Sequence, residues 1–299
     1  MKPFNSLFKA ILHAAWVASA SVATLPAFAQ TQDVVIRFAA QVNGQPFECG
    51  KTYPDVGTTR SVLTPSDFRM YVSEVHLIDP QGQPVKVALD QDKVWQLEDI
   101  ALLDFENAQG PCRNGTPAMN QTVRGRVPTG QYQGLRFTLG VPFARNHGNP
   151  TVAPAPLSST AMFWNWQGGY KFLKFDAATS GQKATTAPPA AQGGGNASGF
   201  SVHLGSTGCE SASKTTPPSG CKNPNRVVVN FASFDARTNV VITDIAPVLA
   251  KSNIDINTEG TSPGCMSFLG DADCNAILPA LGLPYMDYPA GKQQLFSVK

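Results

Sequence analysis

The tripeptide Trp164-Asn165-Trp166, within AMFWNWQGGYKFLKF, holds two of the three tryptophans found beyond residue 29. An indole is electron-rich, and its N–H donates a hydrogen bond without offering a lone pair, so an intact tryptophan anchors or stacks but does not ligate. Metal ligands must then come from other side chains. Three histidines follow the N-terminal segment: His76 in VSEVHLI, His147 in GVPFARNHGNP and His203 in GFSVHLGSTGC. Imidazole suits copper, and two imidazoles leave room for a third donor. A copper site therefore follows if His147 and His203 converge on Trp164, with Met162 and Met266 as soft thioether neighbours that serve equally well as packing residues.

Other chemistries find less support. The chain has no Cys-x-x-Cys-His, so it attaches no c-type haem of its own, and it lacks both HExxH and G-x-S-x-G. Asp104 and Glu106 in LLDFE share a face of an extended strand, which keeps a paired-carboxylate glycosidase open. Asp271, Asp273 and Asn275 begin like a calcium loop, but Ala276 and Gly282 stand where Gly and Glu are required. Trp164 and Trp166 also share a face if the segment is extended, which suits a carbohydrate-binding module with paired stacking rings.

The first 29 residues, MKPFNSLFKAILHAAWVASASVATLPAFA, read as a secretory signal peptide, which directs residues 30–299 to the periplasm as one β domain. Losing Lys2 and Lys9 takes the formal charge from +2 to 0, and a neutral chain is a poor partner for nucleic acid or anionic lipid. No later apolar run is long enough to span a bilayer. All six cysteines, at 49, 112, 209, 221, 265 and 274, lie in the exported part, where an even count favours disulfides. The shortest loops pair Cys209 with Cys221 and Cys265 with Cys274, leaving Cys49 with Cys112.

Segments rich in branched and aromatic residues, punctuated by Gly, Pro and Asn, recur at 34–43, 68–79, 94–105, 122–128, 132–141, 161–167, 170–177, 199–205, 226–234 and 239–245. Their period and turn signals predict an antiparallel β-sandwich or barrel with long decorated loops, helices being confined to 246–252 and 275–282. Residues 177–199, rich in Gly, Ala, Pro and Thr, read as a flexible insertion. In GFSVHLG the alternation puts Phe200, Val202 and Leu204 on one face and Ser201 and His203 on the other, away from the apolar core.

Taken together, DFRMYVSEVHL at 67–77, WQLEDIALLDFE at 95–106, GQYQGLRFTLGVPFARNH at 130–147, APAPLSSTAMFWNWQGGYKF at 153–172, HLGSTGC at 203–209 and PGCMSFLGDADC at 263–274 resemble the MbnP-like copper-binding proteins, exported proteins also described as the four-cysteine member of a metallo-mystery pair. The resemblance implies one Cu(I) site that forms after the first Trp of WxW, here Trp164, is oxidised to kynurenine by a partner, MbnH, a di-haem protein of the cytochrome c peroxidase and MauG superfamily. The chain would thus be a substrate of that haem enzyme and no catalyst itself, with a role in copper homeostasis or trafficking. The same resemblance implies His147 and His203 as ligands, His76 as the reserve, and Trp166 as a neighbour that relays oxidising equivalents.

Overall fold

The computed structural model describes residue 1, residues 30–182 and residues 199–299, so the expected signal peptide and most of the expected insertion lie outside the described residues. The first half forms β1 (Thr31–Val42), β2 (Gln45–Pro46), β3 (Tyr53–Val56), β4 (Ser61–Ile78), β5 (Pro84–Lys86), β6 (Ala88–Leu89), β7 (Gln96–Leu97), β8 (Ile100–Asp104), β9 (Thr122–Pro128), β10 (Gly134–Leu139) and α1 (Phe143–Asn146). The second half forms β11 (Leu173–Thr179), β12 (Gly199–Leu204), β13 (Thr207–Glu210), β14 (Gly220–Asn223), β15 (Val227–Phe231), β16 (Val240–Asp244), α2 (Ala246–Leu249), α3 (Cys274–Ala280) and β17 (Phe296–Val298).

These strands make a six-stranded sheet, ordered β17-β16-β1-β9-β6 with β2 beside β1, and a nine-stranded sheet built around β4, plus the separate β13–β14 hairpin. The six-stranded sheet has the alternation of one wet and one dry face: β1 buries Val34, Ile36, Phe38, Ala40 and Val42, and β9 buries Val123, Gly125 and Val127. Aromatic rings bridge the sheets, Phe38 meeting Phe137 edge to face at 5.7 Å and Phe137 meeting Phe296 at 5.1 Å. Each such ring removed from water contributes about 1.5–3 kcal/mol. Among the described strands the pairing is antiparallel except between β1 and β16, which run parallel.

In the nine-stranded sheet β8 and β12 are buried at every position, as are the first five residues of β11. One face packs the core, where Phe68 and Phe175 meet at 5.3 Å. The other face is roofed by loops: Tyr71 Oη donates to Pro156 O at 2.9 Å, Lys171 Nζ to Ala161 O at 3.0 Å, and Ser267 Oγ to His203 O at 2.8 Å. The disulfides Cys49–Cys112, Cys209–Cys221 and Cys265–Cys274 tie down these loops, in the pairing the loop lengths predict.

Four segments depart from the sequence reading, the first being α1, a single helical turn outside the two C-terminal segments to which the sequence pattern confines helices. The strand predicted over 161–167 does not form; a 3-10 turn, Thr160–Met162, leads into a single bridge between Phe163 and Tyr170, and residues 164–169 turn between them. The segment 94–105 divides into β7 and β8 at Glu98, whose φ is +55°. Residues Ala177–Thr179, assigned to the insertion, belong to β11.

Candidate metal centre

Three sequence motifs meet at one end of the nine-stranded sheet, and Asn146 ties them together. Its Oδ1 accepts from Tyr170 N at 2.8 Å and its Nδ2 donates to Ser206 Oγ at 3.2 Å, so the segment after α1 is tied both to the Trp164 turn and to the residues after His203. The turn itself is closed by Asn165, whose Oδ1 accepts from Gly168 N and whose backbone carbonyl accepts from Gly169 N, both at 2.7 Å, with Gly169 at φ +74°. Asn and Gly at these places supply the side-chain acceptor and the left-handed backbone that a strand would not tolerate. Trp164 is half-buried and leans on Phe268, ring centroids 5.4 Å apart. Its six-membered ring lies where a side chain on Gly205 would stand, a Cβ there falling 2.4 Å from Trp164 Cζ3.

Each imidazole is anchored through one N–H, which fixes the other nitrogen as the acceptor. His203, 1% exposed on β12, directs Nε2 at Asp176 Oδ1 at 2.7 Å. A carboxylate only accepts, so Nε2 carries the proton, and burial lowers the imidazole's pKa against the pull of Asp176, which keeps the ring neutral. Its Nδ1 is then an unprotonated, fully buried acceptor with no hydrogen-bond partner. An imidazole anchored by N–H on a carboxylate, with its second nitrogen free, is how metal-ligating histidines are oriented. His147, 6% exposed just past α1, has Nδ1 3.1 Å from the Trp166 carbonyl, which can only accept. Burial lowers its pKa as well, so Nε2 holds the lone pair, 3.1 Å from Asn146 Nδ2 and 3.5 Å from Cys221 Sγ.

His203 stands in a row of buried charges on the roofed face. Ser201 Oγ donates to Asp176 at 2.6 Å and Lys174 Nζ lies 2.6 Å from Asp176 Oδ2; Lys174 also pairs with Asp67, which pairs in turn with Arg69. Although burial raises its pKa, Asp176 is held well below the usual carboxylate range by its contacts with His203 and Lys174. Burial, then Lys174, pushes Lys171 down to about 8; burial, then Glu106, pushes Asp104 up to about 8. The profile of the MbnP family matches residues 31–267, a span that holds Trp164, both histidines and the row of buried charges but stops one residue short of Phe268. The chain belongs to the MbnP family. Among solved structures, MbnP from Methylosinus trichosporium is 33% identical, its alignment covering 90% of this chain and 98% of that one, with a TM-score of 0.77. No curated protein matches the chain.

Within this MbnP-family fold the remaining candidates fall elsewhere. His76 lies at the other end of β4, paired with Arg136 and Lys86, seven residues from Arg69 and so roughly 20 Å from the His203 row. Met162 and Met266 are buried at 0% and 2% exposure, and Trp166 offers its carbonyl to His147. Glu106 is fully enclosed and spends its carboxylate on Ala108 N and Thr116 N, both at 2.8 Å, so with Asp104 it forms no open glycosidase cleft. Asp271 and Asp273 likewise serve local bonds, to Asp273 N and to Thr258. Since residues 164–169 turn, Trp164 and Trp166 do not form the two-ring strand platform expected of a sugar module. Among the described residues, the ligand clusters are His147–Cys209–Cys221 and Cys49–Glu106–Cys112, and in each the two sulfurs are bonded to one another. Sequence reasoning missed Asp176 and Gly205; the signal for the first was KFD, with Lys174 and Asp176 on the face that carries His203.

Proposed function

We propose that this MbnP-family protein is an exported protein that holds one Cu(I) as cargo, through His147, His203 and a kynurenine made from Trp164. The observation that carries the reading is the buried, unpartnered Nδ1 of His203, whose opposite N–H is fixed on Asp176. A neutral imidazole in that state costs free energy unless something occupies the lone pair. His147 supports the reading through its N–H, anchored on the Trp166 carbonyl, which leaves Nε2 as an acceptor that Asn146 Nδ2 contacts at 3.1 Å.

A third donor comes from Trp164 once its indole is opened. Cleavage of the C2–C3 bond with gain of two oxygen atoms, then hydrolysis of the resulting N-formyl group by one water to release C2 as formate, leaves an aryl amine and a ketone, a net gain of about 4 Da; both groups carry lone pairs the indole lacked. Two imidazoles and such a group make a low-coordinate set suited to Cu(I). The oxidising equivalents come from a di-haem partner of the MbnH type, for which this chain is the substrate. Three disulfides accord with a location outside the cytoplasm, and no helix among the described residues is long and apolar enough to cross a membrane.

The test is to express the chain with and without the di-haem partner in a periplasm, then measure tryptic mass and bound copper. The expected result is a gain of about 4 Da on the Trp164 peptide and about one copper per chain, only with the partner present. Copper bound to protein with unmodified Trp164 would reduce the site to its histidines. Neither modification nor copper would overturn the reading.

A further inference from the structure

Cys209 and Cys221 face each other across the β13–β14 hairpin, and their sulfurs lie with His147 Nε2 in one cluster, every pair of atoms within 4.8 Å. Cys221 Sγ is 3.5 Å from Nε2. In a tetrahedral site with bonds of about 2.3 Å to thiolate and about 2.0 Å to imidazole, sulfur and nitrogen stand about 3.5 Å apart. The protein already holds them at that separation. The imidazole is also in the required form, because Nδ1–H donates to the Trp166 carbonyl and leaves the Nε2 lone pair on the sulfur side.

Access separates this bridge from Cys265–Cys274, whose two cysteines are both fully buried. Cys49 and Cys221 are each half-buried beside a buried partner, and Cys221 lines an open cavity of about 310 Å³ with Phe143, Ser206, Pro224 and Arg226. Exchange with an attacking thiolate requires such access. We infer that Cys209, Cys221 and His147 form a redox-gated site for a soft cation, Zn²⁺ or Cu⁺, closed in the disulfide state and opened by a dithiol reductant. The dithiol gives two electrons and two protons to the S–S bond and leaves as its own disulfide; a divalent ion then displaces the two thiol protons. The hairpin is a sheet of its own and the loop from residue 210 to 219 is mostly exposed, which leaves the sulfurs free to part around the ion. This site requires no change to Trp164, so it stands or falls apart from the kynurenine reading.

The experiment uses the full exported chain made without the di-haem partner, so that Trp164 is intact. After brief treatment with dithiothreitol and its removal, alkylation and mass mapping identify the freed cysteines, and Co²⁺ serves as the probe ion, with Zn²⁺ as its competitor. Expected are labelling of Cys209 and Cys221 before the other four, one Co²⁺ per chain with sulfur-to-cobalt charge-transfer absorption, and displacement by Zn²⁺. The oxidised protein and a Cys209→Ser, Cys221→Ser double variant take up none. His147→Gln, whose amide retains a donor for the Trp166 carbonyl, weakens Co²⁺ binding at least 10-fold. Free thiols at 209 and 221 without charge-transfer absorption, or undiminished affinity in a folded His147→Gln protein, would overturn the site.

Discussion

Gly205 occupies a place where one added methyl group reports on the whole assembly. A Cβ there falls 2.4 Å from Trp164 Cζ3, 2.8 Å from Cη2 and 2.9 Å from the Tyr170 carbonyl oxygen. Non-bonded carbons settle at about 3.5–4.0 Å, so in Gly205→Ala the indole must retreat by at least about 1 Å or the strand end must shift. The backbone at 205 lies outside the left-handed region, so alanine meets no conformational penalty and the contact alone is tested. Retreat is obstructed: Phe268 packs against the indole, and Gly168 is so close that a Cβ on it would lie 3.3 Å from Trp164 Cε3. Overpacking of this kind costs about 1–3 kcal/mol.

Urea unfolding of Gly205→Ala should therefore show that loss with an unchanged m-value, tryptophan emission should shift toward a wetter environment, and the fraction of chains gaining 4 Da should fall together with bound copper. Gly220→Ala is the control, since a Cβ there meets nothing within 4 Å and its φ is not positive. That variant should lie within about 0.5 kcal/mol of the parent. A Gly205→Ala protein with the parent's stability, emission and modification would refute the placement of Trp164 over Gly205.

Trp164→Phe keeps an aromatic ring against Phe268 but cannot yield kynurenine, so copper stoichiometry should drop to near zero while circular dichroism stays unchanged; retained copper would contradict the ligand set. Asp176→Asn removes the buried charge, and one of the two acceptor oxygens, that face His203, Ser201 and Lys174, and should cost roughly 3–5 kcal/mol of stability and about 10- to 100-fold in copper affinity, read by denaturation and by competition with a Cu(I) chelator. Unchanged affinity would remove His203 from the site. Asp104 is the pH reporter: with its folded pKa raised from 3.8 to about 8, it binds its proton more tightly in the folded state, so its stabilising contribution is full below pH 3.8 and is lost as pH rises toward 8. Relative to Asp104→Asn, the parent should lose stability from pH 4 to pH 8, with a ceiling of about 6 kcal/mol. A flat difference across that window would mean that Asp104 is not held protonated.

Local pattern carried much of the fold. TVRGRVP was legible as a strand because Val123, Gly125 and Val127 alternate with polar residues, and β9 spans Thr122–Pro128. AMFWNWQ was misleading, because dense aromatics favour a strand while the information for a turn sits just downstream in Asn165, Gly168 and Gly169. The parallel pairing of β1 with β16 had no local trace, since Arg37 and Val240 meet across two hundred residues of chain.

The site was half legible for a related reason. Alternation in GFSVHLG put His203 on the face opposite Phe200, Val202 and Leu204, and that face assignment holds. Alternation says nothing of what lies above a face, and a strand reading Leu-Lys-Phe-Asp looks the same whether Lys174 and Asp176 meet water or a roof. Here the cover comes from far along the chain: Cys265 bridges the edge of β12, its N donating to Ser201 O and its carbonyl accepting from His203 N, both at 2.9 Å. Pro156 and Ala161 lie over the face, bound by Tyr71 and Lys171, and Glu106 closes over Arg69 from the other side. Burial then changes the chemistry. In water His203 would exchange tautomers freely; beneath the roof the Asp176 carboxylate fixes one of them, and the lone pair left at Nδ1 is what a metal would use.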